Sequence, residues 1–186
     1  RSLIACDWFS QCAVAMAETC FQSSETDLVD QVVAQERCAH ALYVADRAFG
    51  IYRVVQVLAA YHQEGLLRLR KDRALALLRR NRSQAQLKSG DSCPVLWAHT
   101  RHDQPFPALP TLVVPGRLIY WHLAQDGFRP LDLYLFTTLT DELAYPTPDL
   151  VQLYAQRWRV EVHFRYLKTA LDMTDFTVKS AALFRK

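Results

Sequence analysis

The sequence predicts one α/β domain, on three observations. Short apolar runs alternate with helical patterns along the chain, as they do where strands and helices pack in layers. The run Ala41-Leu42-Tyr43-Val44-Ala45 is apolar on both faces, as an interior strand covered by helices must be, and it stops abruptly at Asp46. The composition is that of a globular chain: 186 residues, 51% hydrophobic, 22% charged and 11% aromatic. A fold of this length buries roughly 70% of its unfolded surface, so it needs no disulfide or structural metal to make a core.

The elements follow in order. Leu3 to Cys6 and Cys12 to Cys20 read as two strands joined by a short polar turn. Ser24 opens a helix with Asp27 as its capping-box partner, and Leu28, Val29, Val32 and Val33 form the buried face. After the Ala41–Ala45 strand and the Asp46-Arg47-Ala48-Phe49-Gly50 turn, a helix is expected from Ile51 to Gln63, closed by Gly65. Leu66 to Leu69 is a further strand. A carboxylate at the C-terminal end of a strand stands where open α/β sheets usually place their sites.

From Arg73 to Tyr145 the character changes, because six of the eight prolines fall there and break any long helix. This stretch reads as a β-rich insertion, residues 73–145, between a first core segment 1–72 and a last one 146–186. Its clearest unit is a hairpin, Arg117 to Gln125 and Phe128 to Phe136 around Asp126-Gly127, which requires Pro130 at an edge or bulge. Val95 to Ala98 is a candidate strand. Trp97 and Trp121 are expected in the core or the hairpin.

The formal net charge of +3 hides an asymmetry. Residues 1–63 carry 4 basic and 7 acidic side chains, residues 64–90 carry 8 and 2, and residues 91–186 carry 10 and 10. The basic block, Arg68, Arg70, Lys71, Arg73, Arg79, Arg80, Arg82 and Lys88, is the footprint of a polyanion partner, although a solvated basic helix gives the same count. The five cysteines form no CxxC pair, so a reducing cytoplasm is the default, and no apolar run reaches the roughly 18 residues of a membrane span.

The most informative segment is a helix that Thr147 can cap and Pro148 can start, running to about Leu171. Leu153, Val160, Phe164, Leu167 and Leu171 fall on one apolar stripe that must face the core. Beside it lies a second stripe of Tyr154, Arg157, Glu161 and Lys168, stretched over roughly 21 Å. Taken alone, Arg157 and Glu161 also fit an ordinary i, i+4 salt bridge on a solvated face.

The string from Leu153 to Lys168 resembles the signature of bacterial insertion-sequence-four-type DDE transposases, Y-x2-R-x3-E-x6-K, with all four positions matched. Leu139-Thr140-Asp141 and Asp46-Arg47-x-Phe49-Gly50 resemble neighbouring elements of that family. The resemblance implies an RNase H-like mixed sheet flanked by helices, with a largely β insertion before the last catalytic helix. It assigns Asp46 and Glu161 as the second and third acids of the triad and as ligands of Mg²⁺, for which Mn²⁺ can substitute. It places Tyr154, Arg157 and Lys168 on phosphates of the transposon end. Implied partners are double-stranded DNA, as transposon ends and target, and a second subunit in the synaptic complex of the full-length parent. The implied location is cytoplasmic and nucleoid-associated, with no membrane.

One departure matters. The family's first Asp lies on a first strand upstream of the Leu3–Cys20 hairpin, and nothing in this chain occupies that place. Asp7 is the early acid nearest to it. The expectation is a truncated, inactive transposase catalytic region. A DNA-binding remnant without catalysis and a metal-dependent nuclease of related fold are the alternatives.

Overall fold

The computed structural model describes residues 2–10, 12–19, 24–81, 87–124 and 130–157. Strands β1 (Ser2–Cys6) and β2 (Ala13–Glu18) form an antiparallel hairpin with a register shift at Ala5/Cys6. A single 3₁₀ turn, Glu25–Leu28, leads into the short helix α1 (Val29–Val33). The predicted capping box is present: Thr26 N donates to Ser24 Oγ and Ser24 N donates to an Asp27 carboxylate oxygen. Leu28, Val29, Val32 and Val33 are all buried, and Leu28 and Val32 close the hairpin's inner face over Ala15 and Ala17.

A second sheet holds β3 (Leu42–Ala45), β4 (Glu64–Leu69), β5 (Ser92–Trp97), β6 (Val114–Leu123) and β7 (Leu131–Thr137) in the order β3-β4-β7-β6-β5. β3 and β4 are parallel, and the remaining neighbours are antiparallel. Between the strands run α2 (Tyr52–Ala60), α3 (Lys71–Arg80) and α4 (Thr147–Gln156). Alternate residues of each strand face opposite sides, so two apolar faces must be covered. Leu67, Leu69, Leu118 and Phe136 pack with α2 and α3, while Leu66, Ile119, Leu133 and Leu135 pack with α4. The result is a mixed α/β fold with helices on both faces of the sheet.

Several sequence expectations are refined. β3 is the end strand of its sheet among the described residues, and each of its four residues is half-buried rather than enclosed. Helix α2 is terminated not by Gly65 but by His62, which adopts φ 55°, and Gly65 lies inside β4 against Leu58. Thr147 is the first residue of α4 rather than its cap; Pro146 takes the cap position, and the Thr147 hydroxyl donates to Glu142 at 3.2 Å. Helix α3 starts before the proline-rich stretch and extends eight residues into it. The hairpin forms, but one residue away from the register that a two-residue turn at Asp126-Gly127 sets: His122 stands opposite Asp132 and Leu123 opposite Leu131, so an odd number of residues connects the last pair where a two-residue turn leaves an even number. Its Asp126-Gly127 turn lies outside the described residues, as does the predicted helix beyond Arg157. Trp97 is a core residue, edge-on to Phe136 at 4.8 Å between ring centroids.

Two fasteners hold the hairpin unit to the main sheet. Arg53 of α2 pairs with Asp27 and lies over the Phe106 ring, and the Tyr61 hydroxyl donates to Asp30 at 3.0 Å. Among the described residues the hairpin is therefore docked through the 3₁₀ turn and α1 onto α2, and not through a strand ladder to β3.

Candidate active site

Asp46 directly follows β3, and the turn after it is built on its own oxygens. Ala48 N donates to Asp46 Oδ1 at 2.8 Å and Phe49 N donates to the Asp46 carbonyl at 3.2 Å. This local turn fixes the carboxyl's direction while its Oδ2 makes no hydrogen bond to another described residue. Gly50 ends the turn because nothing larger fits: a Cβ there would stand 2.2 Å from the carbonyl oxygen of Arg68. Arg73 Nη1 donates to the Gly50 carbonyl at 2.7 Å, so β4 and α3 both grip the turn that presents Asp46.

The Asp46 turn opens into a groove of about 620 Å³ between β1 and β3. Leu3 to Phe9 form one side and Ala41 to Asp46 the other, with Val29, Val33, Val54 and Leu58 contributed by α1 and α2. The facing edges of β1 and β3 have no strand partner among the described residues. Tyr43 stands in this wall, and burial first, then the nearby Glu36 carboxylate, pushes its pKa up to about 12.

Helix α4 brings the signature residues to the same place. Leu153 and Arg157 line the groove with Asp46. Arg157 closes α4, and its guanidinium carbon lies 5.6 Å from the centroid of the Tyr154 ring, within cation–π range. Tyr154 itself is 7% exposed, packed among Leu66, Ile119 and Leu150, and its hydroxyl has no partner among the described residues. Its ring is thus a platform beneath Arg157. Asp46 and Arg157 line the same groove, Tyr154 is packed behind Arg157 in the core, and Glu161 and Lys168 lie outside the described residues.

Asp7 also lines the groove, but its carboxylate is engaged locally. Ser10 N and Ser10 Oγ both donate to Asp7 Oδ1 at 2.7 Å, and the backbone bond first, then the hydroxyl, holds its pKa below the ordinary 3.8. It closes the β1–β2 turn.

Arg117 is the positioning residue that the sequence did not reveal. It is 3% exposed and fastens the segment before α4: Nε donates to Leu139 O at 2.9 Å and Nη2 to Tyr145 O at 2.6 Å, with Glu142 at 3.5 Å. Burial pulls its pKa below the ordinary arginine value, against the carboxylates of Glu142 and Asp141. An arginine in an amphipathic strand pattern gives no warning that it points inward.

Comparison with known proteins decides the family. Residues 2–185 match the family described as the transposase DDE domain. The chain belongs to that family. The Escherichia coli (strain K12) protein "Transposase InsG for insertion sequence element IS4" is 22% identical to this DDE domain over 173 residues. That match covers 92% of the chain and 36% of the relative, so the chain spans about a third of the curated relative's length. DDE transposase domains are metal-dependent, usually on Mg²⁺. The hard carboxylate oxygen of Asp46, fixed in direction and open to the groove, suits such a cation. Among the described residues no group of three His, Cys, Asp or Glu side chains gathers around it, and no helix is long and apolar enough to cross a membrane.

Proposed function

We propose that this chain is the catalytic region of a DNA transposase that cuts and joins DNA at transposon ends, with Asp46 and Glu161 as two of its three metal-binding acids. The observation that carries this is the meeting of Asp46 and Arg157 in one groove, with Glu161 four residues beyond Arg157 in the signature. Mg²⁺, or Mn²⁺ in its place, would supply a nucleophile at neutral pH and neutralise the leaving oxygen. Asp46 and Glu161 would hold it. Arg157 takes a phosphate oxygen through its planar fork, Tyr154 supports it from below, and Lys168 adds a second cation. The working form is a DNA complex of two subunits in the cytoplasm, at the nucleoid.

The slot between β1 and β3 is the place of the family's first strand and its acid. Its two strand edges, bare among the described residues, and its apolar walls suit one inserted strand. On this reading the 186-residue chain shows no Mg²⁺-dependent cleavage or joining, and the reading frame extended upstream of Arg1 restores both. Glu161→Ala in the extended protein abolishes cleavage and leaves most DNA binding. Cleavage without joining would make the protein a nuclease of related fold. Robust cleavage by the unextended chain, lost on Asp7→Ala, would make Asp7 the first acid and overturn the slot assignment.

A further inference from the structure

Among the described residues the two sheets end in β1 and β3, which face the slot, and in β2 and β5, which form the outer borders. A border strand leaves alternate N–H and C=O groups without a ladder, and such a row is a template for another strand. The apolar side chains beside these two borders make pairing more favourable still, since Met16 of β2 is 50% exposed and Leu96 of β5 is 56% exposed. Nothing in either strand supplies a charge to oppose it except Glu18, at the end of β2.

Both outer borders are closed in the same way, by the carboxamide of a residue at the end of a helix. Asn81, the last position of α3, donates from Nδ2 to Leu96 O at 3.1 Å and accepts from Leu96 N at 2.8 Å, so one side chain makes both bonds that a neighbouring strand would make there. Gln35, just beyond α1, donates from Nε2 to Met16 O at 3.0 Å and accepts from Met16 N at 3.4 Å. Pro94 lies two residues from Leu96, on the same border of β5, and has no N–H to offer a partner. Among the described residues no side chain makes such a fork on β1 or β3.

An ordinary account covers part of this geometry. Each amide also reaches back one turn into its own helix, Asn81 to Leu77 O at 2.9 Å and Gln35 to Gln31 O at 2.8 Å, which satisfies a carbonyl that the helix end leaves open. That role uses one of the two N–H donors of a carboxamide. The other donor and the oxygen both go to a single residue of the border strand, once in each sheet. We infer that Gln35 and Asn81 are edge guards, whose carboxamides occupy the outer borders in place of a strand and keep a second copy of this chain from pairing there. The inference stands apart from the transposase reading, since it uses no residue of the groove.

The test is sedimentation equilibrium over a range of protein concentrations, comparing the unaltered chain with Asn81→Ala and Gln35→Ala. Each variant is expected to associate more than the unaltered chain, its mass shifting toward about twice that chain's value, because two like edges paired antiparallel close on a twofold axis. Asn81→Ala/Leu96→Lys and Gln35→Ala/Met16→Lys are expected to return to the behaviour of the unaltered chain, since lysines brought together across the new pair repel each other. That reversal separates a bared edge from a general loss of fold, which a lysine at an exposed position does not repair. Association unchanged in both alanine variants, or association that the lysines leave in place, would reduce the two carboxamides to fasteners of their helices and overturn the inference.

Discussion

Asp46 owes its position to backbone contacts that a single methyl would break. At Gly50 a Cβ would meet the Arg68 carbonyl oxygen at 2.2 Å, and that atom belongs to the middle of the sheet and has nowhere to go. Gly50→Ala is therefore expected to destabilise the fold by about 1 to 3 kcal/mol, as overpacking does, measured by urea unfolding. A second residue-scale prediction concerns Asp132. It accepts from His122 and from the Tyr120 hydroxyl, each at 2.9 Å; these bonds, His122 first, hold its pKa below 3.8, while the same contact raises that of Tyr120. A carboxyl whose folded pKa is depressed contributes stability that is complete above its unfolded pKa and is lost as pH falls through the folded value. Asp132→Asn is expected to flatten the acid limb of a melting-temperature profile below about pH 4 and to leave the neutral plateau's shape unchanged. Asp46 itself was legible in the sequence because an apolar strand ending in a carboxylate is a local pattern. The burial of Tyr154 was not, since a tyrosine on the edge of an apolar stripe fits either side until the packing partners are known.

At the scale of elements, the segment before α4 is fastened at its start by Thr138 to β4 and over Leu139 to Tyr145 by the buried Arg117 guanidinium. Arg117→Ala would leave the carbonyls of Leu139 and Tyr145 without their charged donor inside the fold. The expected cost is about 3 to 5 kcal/mol in urea unfolding, with hydrogen exchange accelerated in the Thr138–Pro146 segment before the β1–β2 hairpin responds. Arg117→Lys is not expected to rescue it, because an ammonium cannot reproduce the fork that reaches both carbonyls. Such long-range fastening explains what the sequence conveyed and what it did not. The capping box at Ser24 and Asp27 and the Asp46 strand end are written in neighbouring residues and were readable, as was the existence of the β6–β7 hairpin, though its register is one residue from the one a two-residue Asp126-Gly127 turn sets. The end of α2 was misplaced because Gly65 is the expected stop, whereas His62 takes the left-handed conformation and leaves the glycine to pack under Leu58. Helix α3 was missed because its amphipathic decad abuts the proline-rich stretch, whose composition masked it.

At the scale of the whole molecule, the described residues form two sheets that share helices but no strand ladder. Among the described residues the β1–β2 hairpin is tied to the five-stranded sheet through the 3₁₀ turn, α1 and α2, with Leu3 packed against the same core, and the groove between β1 and β3 is where a continuous sheet would run. Asp46 opens at one end of that groove, with Arg157 in the same wall and Glu161 four residues on. On the proposed reading, Asp46 and Glu161 would hold a metal pair between a strand end and the signature helix. The most direct test is Mn²⁺ uptake by the upstream-extended protein, followed by the loss of the free-ion electron paramagnetic resonance signal. The unaltered protein is expected to take up a pair of ions, and Asp46→Asn and Glu161→Gln are each expected to lose at least one while DNA binding persists. Undiminished uptake by the Asp46→Asn protein would contradict the account.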